Sequence, residues 1–323
     1  MFQKLRTIFN PDLYQGWGKN KSYFEGWYYK MLSNDQQRAM AIIPGIAIDG
    51  NGKKQAFIQV LDGISCTAEY VKFDIDSFSA NAKSFEISIG SNHFKTDRII
   101  LDLPNIKGEL FFKNQVPWPS QWYSPGIMGP FSFIPFMECY HGILSMDHEI
   151  QGELKIGEEN IDFSDGRGYM EKDWGKSFPS AYVWMQTNHF SELGASLKLS
   201  VANIPWLGRS FVGFIAGLYF ENKLIEFTTY NRSSLETLQA DSDIVELTLV
   251  NKKYRLEVSV ERAKSTELAS PIHGFMDGRI SESMKSHTSV KLIDTRDERV
   301  VFNDKSKNVA LEVAGKLSEI LTQ

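Results

Sequence analysis

Val245-Glu246-Leu247-Thr248-Leu249-Val250 alternates apolar and polar side chains residue by residue, the period of an extended strand with one face on a core and the other on water. Tyr70-Val71-Lys72-Phe73-Asp74-Ile75 and Phe85-Glu86-Ile87-Ser88-Ile89 repeat the pattern. Turn-forming runs separate such segments: Asp49-Gly50-Asn51-Gly52, Asp165-Gly166, Glu221-Asn222-Lys223 and Asn251-Lys252-Lys253. Their spacing suits antiparallel meanders. Helical periodicity is nearly absent. Only Val309, Val313, Leu317, Ile320 and Leu321 carry it, and Val309-Ala310-Leu311-Glu312-Val313 fits a last strand equally well. The expected fold is all-β and antiparallel.

At 323 residues the chain has room for two β-units, each with its own core. No flexible linker divides it, so the boundary is placed by pattern at Asp165-Gly166, giving halves 1–165 and 166–323. An internal echo supports two related units: Tyr23-Phe24-Glu25 matches Tyr169-Met170-Glu171, each followed by a Trp (Trp27, Trp174). The expected architecture is a tandem of barrel-like or sandwich-like halves.

A net charge of −5 and the lack of any Lys/Arg cluster exclude a nucleic-acid partner, which needs a basic patch. Two widely separated cysteines, Cys66 and Cys139, point to a reducing compartment rather than a disulfide framework. The N-terminus lacks a signal-peptide pattern and no apolar run is long enough to span a bilayer, so a cytoplasmic location is expected. Aromatic residues are abundant at 13%, with seven Trp and 22 Phe, which suits a flat or greasy ligand.

Chemistry concentrates in Tyr169-Met170-Glu171-Lys172-Asp173-Trp174. Extended, it turns Tyr169, Glu171 and Asp173 to one face and Met170, Lys172 and Trp174 to the other. Two carboxyls sharing an aromatic neighbourhood resist ionising together, so one can keep a proton as a general acid; a solvated stripe is the alternative. Tyr23, Glu25, Trp27 and Tyr29 likewise share a face of their strand, where Glu25 must be hydrogen-bonded, neutral or exposed. Trp118 to Phe131 is too apolar and too rich in Pro and Gly for an ordinary connection; its Trp122 and Tyr123 suit a lid over a hydrophobic ligand or a satellite core. Glu138 and Tyr140 fall on one face of the next segment, Cys139 and His141 on the other. With no paired Cys spacing and His148, His189 and His273 isolated, no metal ligand set is expected around His141. Glycine-rich phosphate loops, a Ser elbow and a zinc-binding His-Glu pair are all missing, and no cofactor is expected.

Four motifs in order carry a resemblance: Lys21-Ser22-Tyr23-Phe24-Glu25-Gly26-Trp27-Tyr28-Tyr29-Lys30, Trp122-Tyr123-Ser124-Pro125-Gly126-Ile127-Met128-Gly129-Pro130-Phe131, Glu138-Cys139-Tyr140-His141-Gly142 and Gly168 to Gly175. Together with Ser177 to Gln186, they resemble the tocopherol cyclase family. That resemblance implies a lipocalin-like double β-barrel and an acid-catalysed reaction, in which a prenylated quinol adds its phenolic O–H across an isoprenoid double bond. Carotenoid hydratases, grouped with the same fold, imply that the acid lies in the Tyr-x-acidic element before the Trp-Gly pair. The implied roles are Glu171 as proton donor, Asp173 as its electrostatic partner and Tyr169 as the orienting group, with Glu138 and Glu25 in reserve. Trp27, Trp122, Tyr123, Tyr140, His141, Trp174 and Trp184 become substrate-binding candidates beside Glu25. The implied partner is a prenylated quinol or another isoprenoid, which the chain cyclises, hydrates or merely carries. The apolar stretch Pro125 to Met137, read by itself, adds peripheral membrane contact through Phe131, Phe133 and Phe136 as an expectation.

Overall fold

The computed structural model describes residues 2–206 and 208–322. The alternating segments form two antiparallel sheets. The first contains β1 (Tyr23–Leu32), β2 (Ala39–Ile48), β3 (Lys54–Asp62), β4 (Thr67–Phe73), β5 (Phe78–Ala80), β6 (Glu86–Ile89), β7 (Asn92–Lys95), β8 (Arg98–Asp102), β9 (Ile106–Lys113), β10 (Cys139–Ile156), β11 (Glu159–Asp162) and β12 (Arg167–Gly175). Its order is β4-β3-β2-β1-β12-β10-β9-β8-β7-β6-β5, with β11 paired to β10. Hairpins build most of this sheet. β12 departs from that plan: it is inserted between β1 and β10, each pairing antiparallel with it. The sheet curls until β3 meets β6, enclosing Trp27, Tyr29, Phe85, Phe94, Ile99, Phe112 and Met170. Each large apolar side chain so removed from water contributes about 1.5–3 kcal/mol.

The second sheet comprises β13 (Ala181–Thr187), β14 (Ser196–Trp206), β15 (Arg209–Phe220), β16 (Lys223–Thr228), β17 (Ser234–Ala240), β18 (Ile244–Val250), β19 (Tyr254–Glu261), β20 (Thr266–Ile272), β21 (Phe275–Asp294) and β22 (Arg299–Gly315). Its order is β16-β15-β14-β13-β22-β21-β19-β18-β17, with β20 on β21. Val183, Met185, Leu197, Leu199, Phe227, Leu247 and Val290 lie in its own core. The decisive segment 245–250 lies in β18, its Val245, Leu247 and Leu249 buried in that core as the alternation requires.

Three expectations are corrected and one open choice is settled. The boundary at 165/166 falls between β11 and β12, inside the first sheet; the compact units are Met1–Phe178 with Leu268–Arg279, and Pro179–Glu267 with Ile280–Gln323. The cause is the pairing of β12, whose two edges bond to strands of the first sheet. The two Tyr-x-Glu motifs therefore lie on adjacent strands of one sheet instead of opening two halves. The ambiguous tail is a strand to Gly315, followed by a short 3-10 turn at Leu317–Glu319. Conversely, a helix α1 forms at Phe2–Phe9, where none was expected.

Glycine is required where β12 ends. Gly175 has φ +153, and a Cβ there would overlap the Glu138 carbonyl oxygen and stand 3.0 Å from Cys139 Cα. Gly175→Ala is expected to lower stability by about 2 kcal/mol, read from the urea midpoint at unchanged slope.

The β10–β12 register slips between Ile143 and Ser145 and again between Ser145 and His148, bringing His148 opposite Gly168. The imidazole fills the space a side chain at 168 would take and lies 4.7 Å from the Phe112 ring. His148 is fully buried, neither ring nitrogen has a hydrogen-bond partner, and burial pulls its pKa down to about 3. The unfolded chain protonates near 6.5 while the folded one resists until about 3. Folding stability should therefore fall by about 1.4 kcal/mol per pH unit as pH drops below 6.5. His148→Leu is expected to remove that share of the acid slope in denaturation measured from pH 7 to 4.

Candidate functional site

The register of β1, β12 and β10 sorts the expected site residues onto opposite faces of one sheet. On β12, Met170 packs into the first core with Trp174 against it, so Tyr169, Glu171 and Asp173 turn to the other face, as alternation predicted. That face is not a solvated stripe: Tyr169 is fully buried and Glu171 is 4% exposed.

Across β10, His141 is the register partner of Asp173 and Ile143 of Glu171. His141 Nδ1 lies 2.7 Å from Asp173 Oδ1, and its Nε2 lies 3.6 Å from Glu171 Oε2. The Tyr169 hydroxyl donates to that same Oε2. The result is a line of polar groups, Tyr169, Glu171, His141 and Asp173, on two neighbouring strands. A carboxylate on Nδ1 favours the tautomer with its hydrogen there, which turns Nε2 toward Glu171. Burial, then the charges of Glu171 and Asp173, push the Tyr169 phenol well above its ordinary value, so it stays protonated and keeps donating.

The expectation that His141 has no accompanying ligands is corrected here. Its ligand atom and those of Glu171 and Asp173 all lie within 4.8 Å of one another, a donor set that suits a divalent cation as well as a proton. Nothing local in the sequence announces this, because the pairing of β10 with β12 brings together residues 32 apart. Tyr28 and Lys30 were also missed. Both are buried on this face of β1, where Tyr28 pairs with Glu171 in register and Lys30 with Tyr169. The Tyr28 ring meets that of Tyr169 edge-on at 6.5 Å.

Glu25, Trp27 and Trp174 lie elsewhere, on the core face. Glu25 accepts from Tyr23 at 2.6 Å and from the Gln15 backbone N–H at 2.8 Å, and it pairs with Lys172 at 2.6 Å. Both members of that ion pair have fully buried side chains. Lys172 also donates to the carbonyls of Pro11, at 2.9 Å, and Leu13, and lies 4.8 and 4.9 Å from the Trp27 and Trp174 rings. Trp27 Nε1 donates to the Asp12 carbonyl. The segment 11–15 thus closes over this end of the core, and these residues, expected to bind substrate, bind the chain itself. Burial, opposed by Glu25, pulls the Lys172 ammonium below its ordinary range. Tyr140 stacks on Trp174 and donates to the Ile134 carbonyl.

The remaining expected residues scatter. Glu138 is half-buried, its pKa raised by burial against the pull of His273 and Lys176, and it is not hydrogen-bonded into the Tyr169–Asp173 line. Trp122 and Tyr123, expected to cover a ligand, are largely exposed. Trp184 belongs to the second unit, on the face of β13 opposite its core, two residues from Tyr182, whose hydroxyl donates to Glu312 at 2.7 Å. The large aromatic side chains Trp27, Tyr29, Phe85, Phe94 and Phe112 of the first unit are packed in its core. A pocket of about 510 Å³ in that unit is instead lined largely by polar groups, among them Arg6, Asp12, Lys83, Glu86 and Asp97.

The sequence profile described as tocopherol cyclase-like matches residues 104–315, well over half of the chain. The chain belongs to the tocopherol cyclase-like family. A probable tocopherol cyclase of rice (Oryza sativa subsp. japonica) is 28% identical over 100 residues, 30% of this chain and 21% of that protein. The tocopherol cyclase of maize (Zea mays) is 28% identical over 102 residues, with the same shares. The matched region thus spans about a fifth of the length of either plant member. Among solved structures, CghA with Sch210972 superposes with a TM-score of 0.57 at 11% identity, covering 91% of this chain and 89% of that one. At that identity the likeness is one of fold. It agrees with the lipocalin-like all-β tandem, and the family match spans all three strands that carry Tyr169, Glu171, Asp173, His141 and Trp184. Among the described residues, no helix of this tocopherol cyclase-like chain is long and apolar enough to cross a membrane.

Proposed function

We propose that the chain is an acid catalyst for a prenylated quinol, adding the quinol's O–H across the nearest isoprenoid double bond to close a chromanol ring. The observation that carries this reading is Glu171 buried between the Tyr169 hydroxyl and His141 Nε2, with Asp173 on the far side of the imidazole. Glu171 gives its proton to the less substituted alkene carbon, leaving a tertiary cation. The phenolic oxygen captures that cation and releases its own proton to the Glu171–His141 pair. Substrate and product are isomers, so no co-reactant is consumed. Burial strengthens each electrostatic contact, and the Tyr28 ring supports positive charge through its quadrupole.

The test is chromanol formation from a prenylated hydroquinone incubated with purified protein, followed by chromatography and mass. Absence of turnover together with a tightly held co-purifying lipophile would sink the enzymatic reading in favour of a carrier. Tyr169→Phe keeps the ring but removes the donor to Glu171. It is expected to lower kcat about ten- to a hundredfold with KM nearly unchanged.

A further inference from the structure

Residues 114–137, between β9 and β10, contain no Asp, Glu, Lys or Arg, in a chain whose charged fraction is 23%. The segment nevertheless does not bury all its apolar side chains. Trp118, Ile127 and Met128 tuck under it, whereas Trp122 is 79% exposed, Phe136 61%, Tyr123 57% and Phe133 43%. We propose that this loop is a docking surface for the interface of an uncharged phospholipid bilayer, with Trp122, Tyr123 and Phe136 as the inserting side chains.

Position argues for it. Trp122 and Tyr123 occupy the middle of a turn closed in both directions by backbone bonds between Gln121 and Ser124, each 3.0 Å. Phe136 lies in a second turn just before β10. The loop is held by its own bonds, Gly129 to Gly126, Phe131 to Met128, Ile134 to Phe131 and Ser132 Oγ to Pro125. Phe133 meets Phe9 of α1 edge-on at 6.0 Å. The rings are therefore held outward by fixed backbone, and insertion orders little that is not already ordered. Trp and Tyr favour the headgroup level of a bilayer, where an apolar ring and a polar edge are both satisfied. A loop without charge offers no attraction of its own to anionic lipid and loses no ionic hydration on contact with zwitterionic lipid. Lack of Arg and of any other charge makes it a poor match to a protein partner's polar rim.

The inference is independent of the acid-catalysis reading, because binding is measured without substrate. Full-length protein is sedimented with sucrose-loaded phosphatidylcholine vesicles. Wild type is expected to pellet with lipid, and equally at low and high salt. The Trp122→Ala, Tyr123→Ala, Phe136→Ala triple variant should partition on the order of a hundredfold more weakly, with unchanged circular dichroism and urea midpoint. Trp122→Phe should retain most of the binding. The proposal is overturned if wild type stays in the supernatant at every lipid concentration, or if the triple variant pellets like wild type. Binding only to anionic vesicles, vanishing with salt, also overturns it. So does a dimer that the triple variant abolishes while vesicles recruit neither protein.

Discussion

Glu171→Gln is expected to lower kcat for chromanol formation about a thousandfold while substrate binding changes only a few-fold. An amide matches the carboxyl in size and still accepts from the Tyr169 hydroxyl, but it has no proton to deliver; positioned general acids contribute about 10²–10⁴ in rate. Asp173→Asn tests the far end of the line. It leaves Nδ1 of His141 a poorer acceptor at 2.7 Å, so the imidazole loses its orientation and its preference for carrying the hydrogen there. Its loss should be smaller, about ten- to a hundredfold, and should come with a displaced pH–rate profile. Single-turnover kinetics with one prenylated hydroquinone separates the two effects. Equal, complete loss in both variants with an unfolded circular dichroism spectrum would instead mean that the line holds the sheet together.

The largest effect on stability is expected at Lys172→Met. That change leaves the Glu25 carboxylate without its cation in a site where both side chains are fully buried. Breaking one partner of such a pair costs about 3–5 kcal/mol, because the remaining charge keeps its desolvation penalty without its compensation. The double variant Glu25→Gln, Lys172→Met should recover most of this, since it removes both charges together. Chemical denaturation of the two single variants and the double supplies the coupling energy, and a double variant no more stable than Lys172→Met overturns the assignment. The same variants should leave the chemistry of Glu171 in place wherever the protein folds, because they alter the opposite face of β12.

The alternation that identified β12 as a strand also sorted its side chains: Tyr169, Glu171 and Asp173 do share a face. What it could not supply was which face meets the core. The ordinary rule fails there because both faces are buried; β1 has nine of its ten residues buried and β12 six of nine, so burial and polarity no longer alternate. The resemblance placed Glu25 and Trp27 near a ligand, whereas they hold the N-terminal segment. His141 was legible as a residue but not as a partner, since strand pairing across 32 positions leaves no local trace. The same non-local pairing moved the unit boundary past Gly175. The echo between Tyr23-Phe24-Glu25 and Tyr169-Met170-Glu171 was real chemistry, as both tyrosines donate to the glutamate two residues on, but its geometry is two sides of one sheet.

The insertion of β12 between β1 and β10 has a consequence for how the chain is made. During vectorial synthesis β1 to β10 emerge with an unfilled slot between the first strand and the tenth, and with Glu25 waiting for a cation still inside the ribosome. Until residues 167–175 leave the exit tunnel, the nascent chain exposes two open strand edges and a half-formed ion pair, and only then can the segment around Pro11 find the ammonium that anchors it. A pause in translation shortly before that point prolongs the interval in which edge-to-edge association competes with closure.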